Sequence, residues 1–241
     1  MQFYHSKLLN SLTGLTHAFT TKYSGNLAFH VGDNPLTVEA NHERLAQKLQ
    51  YKKETLIHME QIHSCDVSIV TKEDNFHMPR TCDALVTNKK NTPLMVMVAD
   101  CSPILFYDKI NKVIAVAHAG RQGAFKNIVH NTIFKMTHNF NTKAENILVS
   151  VGASIGVCCY EVGEEIYKEA MELRLGFCIE KREDSYYLNI HKILKKQLLA
   201  CGILSTHIDI SHECTKCNSN IYYSYRAKQK TGRFAGIIFL N

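Results

Sequence analysis

The chain has 241 residues, 45% of them hydrophobic and 21% charged, which is long and apolar enough to bury a large core. Its 28 Lys and Arg exceed its 22 Asp and Glu by six with no basic block, which argues against nucleic acid as a partner. No apolar run of about 18 residues occurs and the N-terminus lacks a signal-like apolar segment, so a cytoplasmic protein without membrane contact is expected. Nine cysteines are an odd number in a chain too large to need disulfide staples, and reduced thiols are the default.

After the turn Gly32-Asp33-Asn34-Pro35, Val38, Leu45 and Leu49 share one stripe and predict a helix over residues 37–49. Residues 67–70 have strand character. The short apolar runs 94–99, 104–107 and 113–117, the last two separated by the polar turn 108–112, predict buried central strands. Ile128, Val129, Ile133 and Met136 predict a helix over 125–140, and 147–151 returns to a strand before a glycine-rich turn. Residues 161–175 and 190–201 predict two more helices, and 236–240 a closing strand. No repeat, linker or low-complexity tract appears. The alternation predicts an α/β fold of mixed α+β character, a single domain over 1–241 with central mixed β-sheets flanked by helices.

Cys101 follows one apolar run in Ala99-Asp100-Cys101-Ser102-Pro103, and His118 ends another in Ala117-His118-Ala119-Gly120. If runs 94–99 and 113–117 are neighbours in one sheet, their ends bring thiolate and imidazole into one coordination sphere. A third ligand is available in His58-Met59-Glu60-Gln61-Ile62-His63-Ser64, where His63 is preferred to His58. Two His and one Cys suit zinc, and three protein ligands leave a fourth position open for water or substrate, as catalytic zinc requires. His207, His212, Cys214 and Cys217 offer half of a structural zinc site, but no second C-x2-C completes it, and Cys158-Cys159 is assigned to packing.

Several motifs occur in a fixed order: His17-Ala18-Phe19-Thr20-Thr21, Asn26 to Asp33, Gln61-x-His63-Ser64, Asp83-Ala84-Leu85-Val86-Thr87 and Ala99-Asp100-Cys101-x-Pro103-Ile104. They continue with His118-Ala119-Gly120, Gly152 to Val162, Cys214-Thr215-x-Cys217-Asn218, Tyr223-Ser224-Tyr225-Arg226 and Thr231-Gly232-Arg233. In this order the sequence resembles, nearly end to end, the laccase-domain family, also described as polyphenol oxidoreductase-like and as purine nucleoside phosphorylases. The resemblance implies a metal site at His63, Cys101 and His118, the same residues chosen from their strand-end positions. It also implies phosphorolysis of adenosine, inosine, guanosine and methylthioadenosine and hydrolytic deamination of adenosine, with nucleosides and phosphate as partners and zinc as cofactor, copper being an alternative. The chain departs from the family in having Arg121-Gln122 after His118-Ala119-Gly120, Lys22 and His42 where Arg is common, and Ala153 where Pro is common.

For the implied chemistry, Asp100 is the candidate proton shuttle and Lys22, Arg226 and Arg233 the candidate cations for phosphate. Asn26 and Asp83 are candidate substrate-binding residues. Each has a simpler alternative: a turn role for Asp100, Asp83 and Asn26, and ion pairing for the two arginines. Competing functions are a zinc amidase editing cell-wall precursors, a copper-dependent polyphenol oxidase, a metal-free hydrolase with Cys101 as nucleophile and His118 as base, and a non-enzymatic metal or redox protein. A monomer or homodimer is expected.

Overall fold

Every residue of β7 (Leu94–Val98), β8 (Ser102–Asp108) and β9 (Val113–Ala119) is buried, because each face of these strands is covered by a different layer. The computed structural model describes residues 1–241 and sorts its strands into two large sheets. One is antiparallel, in the order β1 (Phe3–Tyr4), β2 (Leu15–Thr20), β15 (Phe234–Leu240), β7. The other runs β14 (Ile208–Ile210), β10 (Ile147–Val151), β8, β9, β6 (Ala84–Thr87), β4 (Val67–Ile69), antiparallel inside with a parallel pair at each edge. Two small sheets flank them: β11 (Glu161–Val162), β13 (Ser185–Leu188) and β12 (Ile179–Arg182), and the pair β3 (Met59–Glu60) with β5 (Arg80–Thr81).

Alternation along the strands builds three apolar layers. Val96, Val98, Phe234 and Ile238 from the first sheet meet Leu85, Leu105, Tyr107, Ile114 and Val116 from the second. The residues between them in sequence, Met95, Met97, Ala235 and Ile237, point the other way and pack on Leu45 of α2 (Pro35–Leu49). On the far side Ile104, Phe106, Ala115 and Val149 pack on Val129, Ile133 and Met136 of α4 (Ile128–Phe140) and on Ile193, Leu194 and Leu198 of α6 (Ile190–Ala200). Each such buried aliphatic or aromatic side chain contributes about 1.5–3 kcal/mol relative to exposure.

The mixed α/β class is as expected, with three differences. The runs 94–99 and 113–117 are not neighbours in one sheet: β7 pairs with β15, and β9 lies in the other sheet between β8 and β6. Two fully buried strands stacked face to face carry the same uniform apolar signature as two paired side by side. The helix expected over 125–140 is α4, which begins only at Ile128; a separate short α3 (Arg121–Phe125) precedes it, and Asn127 between them lies in the left-handed region at φ 63°. The helix expected over 161–175 is strand β11 followed by α5 (Glu164–Glu172). The helix α2 starts at Pro35, where the Asn34 side chain accepts the Leu36 N–H at 2.9 Å. No helix is long and apolar enough to cross a membrane.

Candidate active site and metal centre

Where β7 ends, Asp100 adopts φ 86° and turns the chain from the first sheet into the second, so Cys101 stands at the corner between them. The register of β8 on β9 sets Pro103 opposite His118, which places Cys101 beside the end of β9. His63 arrives on the loop between β3 and β4, with φ 59°, a conformation that non-glycine residues adopt at a cost of about 1–2 kcal/mol. The fully buried Asp83 carboxylate holds that loop by accepting the N–H groups of Ile62, His63 and Ser64 at 3.3, 3.1 and 2.6 Å and the Ser64 hydroxyl at 2.8 Å. Gln61 fixes the other end: its side-chain amide donates to the Met97 carbonyl at 2.8 Å and accepts the Met97 N–H at 2.9 Å.

Through these constraints one donor atom from each of His63, Cys101 and His118 lies within 4.8 Å of the others. Gly120 keeps the group open, since a Cβ there would lie 3.0 Å from the Cys101 sulfur and 3.2 Å from the His63 ring. Burial pushes the Cys101 thiol up, but the charge of His118 and hydrogen bonds from both histidines overcome it and draw the thiol down to about 6. For His118, burial opposes the charged ring, while the Cys101 sulfur and the Asp83 carboxylate raise it to about 9. Asp83 Oδ1 lies 2.8 Å from His118 Nδ1, leaving Nε2 as the ring nitrogen available to the Cys101 sulfur or to a metal ion. A thiolate and two imidazoles, one oriented by a carboxylate, form a donor set that fits a zinc ion, with room for a further ligand.

The group opens into a cavity of about 290 Å³, whose lining includes His30, Asp100, Arg121, Tyr160, Arg226 and Arg233. This is at the small end of the ~300–1,000 Å³ usual for small-molecule sites. Asp100 accepts the Thr215 hydroxyl on one carboxylate oxygen and the Arg226 backbone N–H on the other, both at 2.6 Å. Arg226 donates to the Glu161 carbonyl at 2.8 Å, with its guanidinium 5.3 Å from the Tyr160 ring centre. Arg233 donates to its neighbours' carbonyls, Thr231 at 3.0 Å and Gly232 at 3.1 Å, not to a carboxylate.

Three sequence-derived candidates lie elsewhere. Asp83, expected at the substrate, is fully buried beside the three-donor group, where four donors from residues 62–64 and the His118 ring use its oxygens. Asn26, expected to face a ligand, spends its amide on both backbone groups of Ala28, the Arg233 N–H and the Asp33 carboxylate. Lys22 donates to the Ser219 carbonyl at 2.8 Å and does not line the cavity. Conversely, Gln61, His30, Arg121 and Tyr160 line it although the sequence singles out none of them as a site residue. Gln61 and Arg121 stood beside the motifs that supplied His63 and His118; His30 and Tyr160 come from loops whose direction no local pattern encodes.

The structure also revises the cysteine assignments. Cys158 and Cys159, expected to pack, instead converge with Cys214 and Cys217, each sulfur within 4.8 Å of the other three. His207 and His212 are not part of this group. His58 is buried, with its ring 2.9 Å from the Phe76 carbonyl oxygen and away from the ligand group.

Fold and site together define a mixed α/β protein in which three side chains that could hold a metal ion line a small-molecule-sized cavity. Residues 14–241 match the model of the family described as multi-copper polyphenol oxidoreductase laccase, and the chain belongs to that family. It is 34% identical over 232 residues to a purine nucleoside phosphorylase of Corynebacterium glutamicum, covering 92% of this chain and 93% of that one. It is 30% identical to the purine nucleoside phosphorylase YlmD of Geobacillus stearothermophilus over 93% of this chain and 90% of the relative. Among solved structures, the hypothetical protein YfiH of Bacillus licheniformis superposes with a TM-score of 0.90 at 26% identity, covering 94% of this chain and 93% of that one. The crystal structure of the Geobacillus YlmD gives 0.86 at 28% identity, covering 95% and 93%.

Proposed function

We propose that the chain is a zinc-dependent purine nucleoside phosphorylase acting on adenosine, inosine, guanosine and methylthioadenosine, with an adenosine deaminase activity at the same site. The observation that carries this reading is the convergence of the His63, Cys101 and His118 donors in a cavity also lined by Arg121, Arg226 and Arg233. Zinc held by these three residues would supply Lewis acidity in the cavity. The remaining work falls to the chain's own groups.

In phosphorolysis the bond between ribose C1′ and the purine nitrogen breaks, a bond from C1′ to an oxygen of hydrogen phosphate forms, and the departing base takes up the proton that the phosphate gives up. Arg226 and Arg233 keep guanidinium donors beyond those they spend on backbone carbonyls, and these hold the phosphate anion. Asp100, fixed by Thr215 and Arg226, retains carboxylate lone pairs and moves the proton. In deamination, water oxygen adds at C6 of adenine and ammonia leaves, with Asp100 again as the proton carrier. Tyr160, Tyr225 and Ile155 line the same cavity and offer the base aromatic and apolar surface to pack on.

One observation favours a second reading: the depressed Cys101 thiol beside His118 and Asp83 resembles the nucleophile, base and orienting carboxylate of a metal-free hydrolase. His63 has no role in such a triad, whereas three converging donors suit a metal. A copper oxidase is disfavoured by the donor chemistry, since the two metal-capable groups provide only two histidines between them, against the several a trinuclear copper cluster uses. The test is chromatography of adenosine incubated with protein prepared without copper and loaded with zinc, with and without phosphate. Adenine with ribose 1-phosphate, formed only with phosphate, supports phosphorolysis, and inosine supports deamination. Neither product, or activity that persists after chelation, rejects the proposal.

A further inference from the structure

The four-cysteine group lies apart from the cavity and takes no part in the chemistry above. Cys158 and Cys159 sit on the turn that follows β10, and Cys214 and Cys217 on the turn that follows β14. Two backbone hydrogen bonds clamp the turns together: Ser154 donates to the Glu213 carbonyl at 3.3 Å, and Thr215 donates to the Ser154 carbonyl at 3.0 Å. Within the second turn the Asn218 backbone N–H and side-chain amide both reach the Cys214 carbonyl at 3.0 Å, folding Cys217 back over Cys214.

The sulfurs are spaced as ligands of one ion are. Cys217 Sγ lies 3.6 Å from Cys158 Sγ and 3.4 Å from Cys159 Sγ, and all four sulfurs fall within 4.8 Å of one another. A tetrahedron built on zinc–sulfur bonds of about 2.3 Å has edges of about 3.8 Å, whereas a disulfide needs sulfurs at about 2.05 Å. The Gly156 N–H points at Cys214 Sγ at 3.2 Å, a donor that stabilises a thiolate. The absence of a side chain at Gly156 leaves room for this packing, since a Cβ would lie 3.1 Å from Cys158 Sγ and 3.2 Å from Cys214 Cβ.

We propose that Cys158, Cys159, Cys214 and Cys217 bind a second, structural zinc ion that ties the two turns together. Four protein sulfurs close the tetrahedron and leave no position for substrate, which separates this site in kind from the open three-donor group. The ion has a definite mechanical task. Residues next to its ligands position Asp100: Thr215 donates to its carboxylate, and Ile155 donates its N–H to the Asp100 carbonyl at 2.8 Å. Tyr160, which follows Cys159 in sequence, lines the cavity. The ion therefore acts on the reaction through Asp100 and Tyr160 as a positioning element.

The test counts metal, and does not depend on activity. Native mass spectrometry and elemental analysis of the wild-type protein with zinc as the only added metal should give about two ions per chain. Cys217→Ser should keep about one, and Cys217→His, which restores a zinc donor, about two. Cys101→Ser removes the only thiolate of the first site, so with cobalt(II) in place of zinc its thiolate charge-transfer absorption must come from the four-cysteine group. That absorption should persist in Cys101→Ser and vanish in Cys101→Ser/Cys217→Ser. A wild-type protein with one ion per chain, whose content is unchanged by Cys217→Ser, would overturn the proposal. So would disulfides among the four cysteines in protein alkylated before reduction.

Discussion

Asp83 Oδ1 lies 2.8 Å from His118 Nδ1, and the same carboxylate accepts the N–H groups of Ile62, His63 and Ser64, so one buried residue aims two of the three candidate metal ligands. It fixes the His118 tautomer through the ring and holds the left-handed backbone of His63 through the loop. Asp83→Asn keeps the shape but loses the charge, and its NH2 group cannot accept the N–H groups that the second carboxylate oxygen now takes. We expect zinc affinity at the three-donor site to fall about 10–100-fold, measured by competition with a chelator. Phosphorolysis should fall with it at limiting zinc and recover in part at saturating zinc. Unchanged affinity would remove Asp83 from this role.

That role also marks where the sequence stops being informative. Cys101 and His118 are legible because each adjoins a strand whose apolar run ends abruptly, and His63 because it precedes another strand. Their convergence rests on the corner at Asp100 and on the pairing of β8 with β9, and pairing partners are not encoded in a run of buried residues. Asp83 reads locally as a turn residue, since its partners lie about 20 and 35 positions away. The family resemblance supplies the ligand set and the fold class, but it did not distinguish Lys22, outside the cavity, from Arg226 and Arg233, inside it. Cys158-Cys159 failed for a related reason: half of a four-cysteine group looks like packing until a second turn is folded onto it.

The metal-free protein should carry an ionised Cys101 at neutral pH. Its thiol is drawn down to about 6, so the thiolate is present above that pH and lost as pH falls through it, while His118 stays protonated until pH rises through about 9. Alkylation of Cys101 in chelator-treated protein, followed by peptide mass spectrometry, should reach half its maximal rate near pH 6. His118→Ala should move that midpoint up toward the ordinary thiol range, and zinc should protect Cys101 at every pH at which it binds. A midpoint near 9 in the unmodified protein would contradict the thiolate–imidazolium pair.

The cations should separate by position. Arg226 and Arg233 line the cavity, so Arg226→Ala and Arg233→Ala should each raise the KM for phosphate about 10–100-fold, the equivalent of about 1.5–3 kcal/mol for a hydrogen bond to a charged group. Adenosine deamination, which uses no phosphate, should change less. Lysine at either position should not restore phosphate binding fully, because it lacks the planar fork. Lys22→Ala should leave phosphate KM within about twofold, since its ammonium is engaged with the Ser219 carbonyl outside the cavity. Steady-state kinetics with phosphate as the varied substrate decides among them, and an equal effect at Lys22 would place the anion elsewhere.

Gly120 offers a separation of metal binding from folding. Its φ of −75° is open to any residue, so backbone strain does not demand glycine there, and Gly120→Ala should change the stability of the metal-free protein by no more than about 1 kcal/mol. What the added methyl meets is two of the three candidate ligands, at 3.0 Å from Cys101 Sγ and 3.2 Å from the His63 ring. Those side chains must give way by a few tenths of an ångström, which spoils the donor geometry without unfolding anything. We expect zinc affinity at this site to drop at least about tenfold while denaturant midpoints of the chelated wild type and variant stay close. Had Gly120 served only to start α3, the two measurements would move together, and a stable variant with undiminished zinc affinity would show that the space beside Cys101 is not needed.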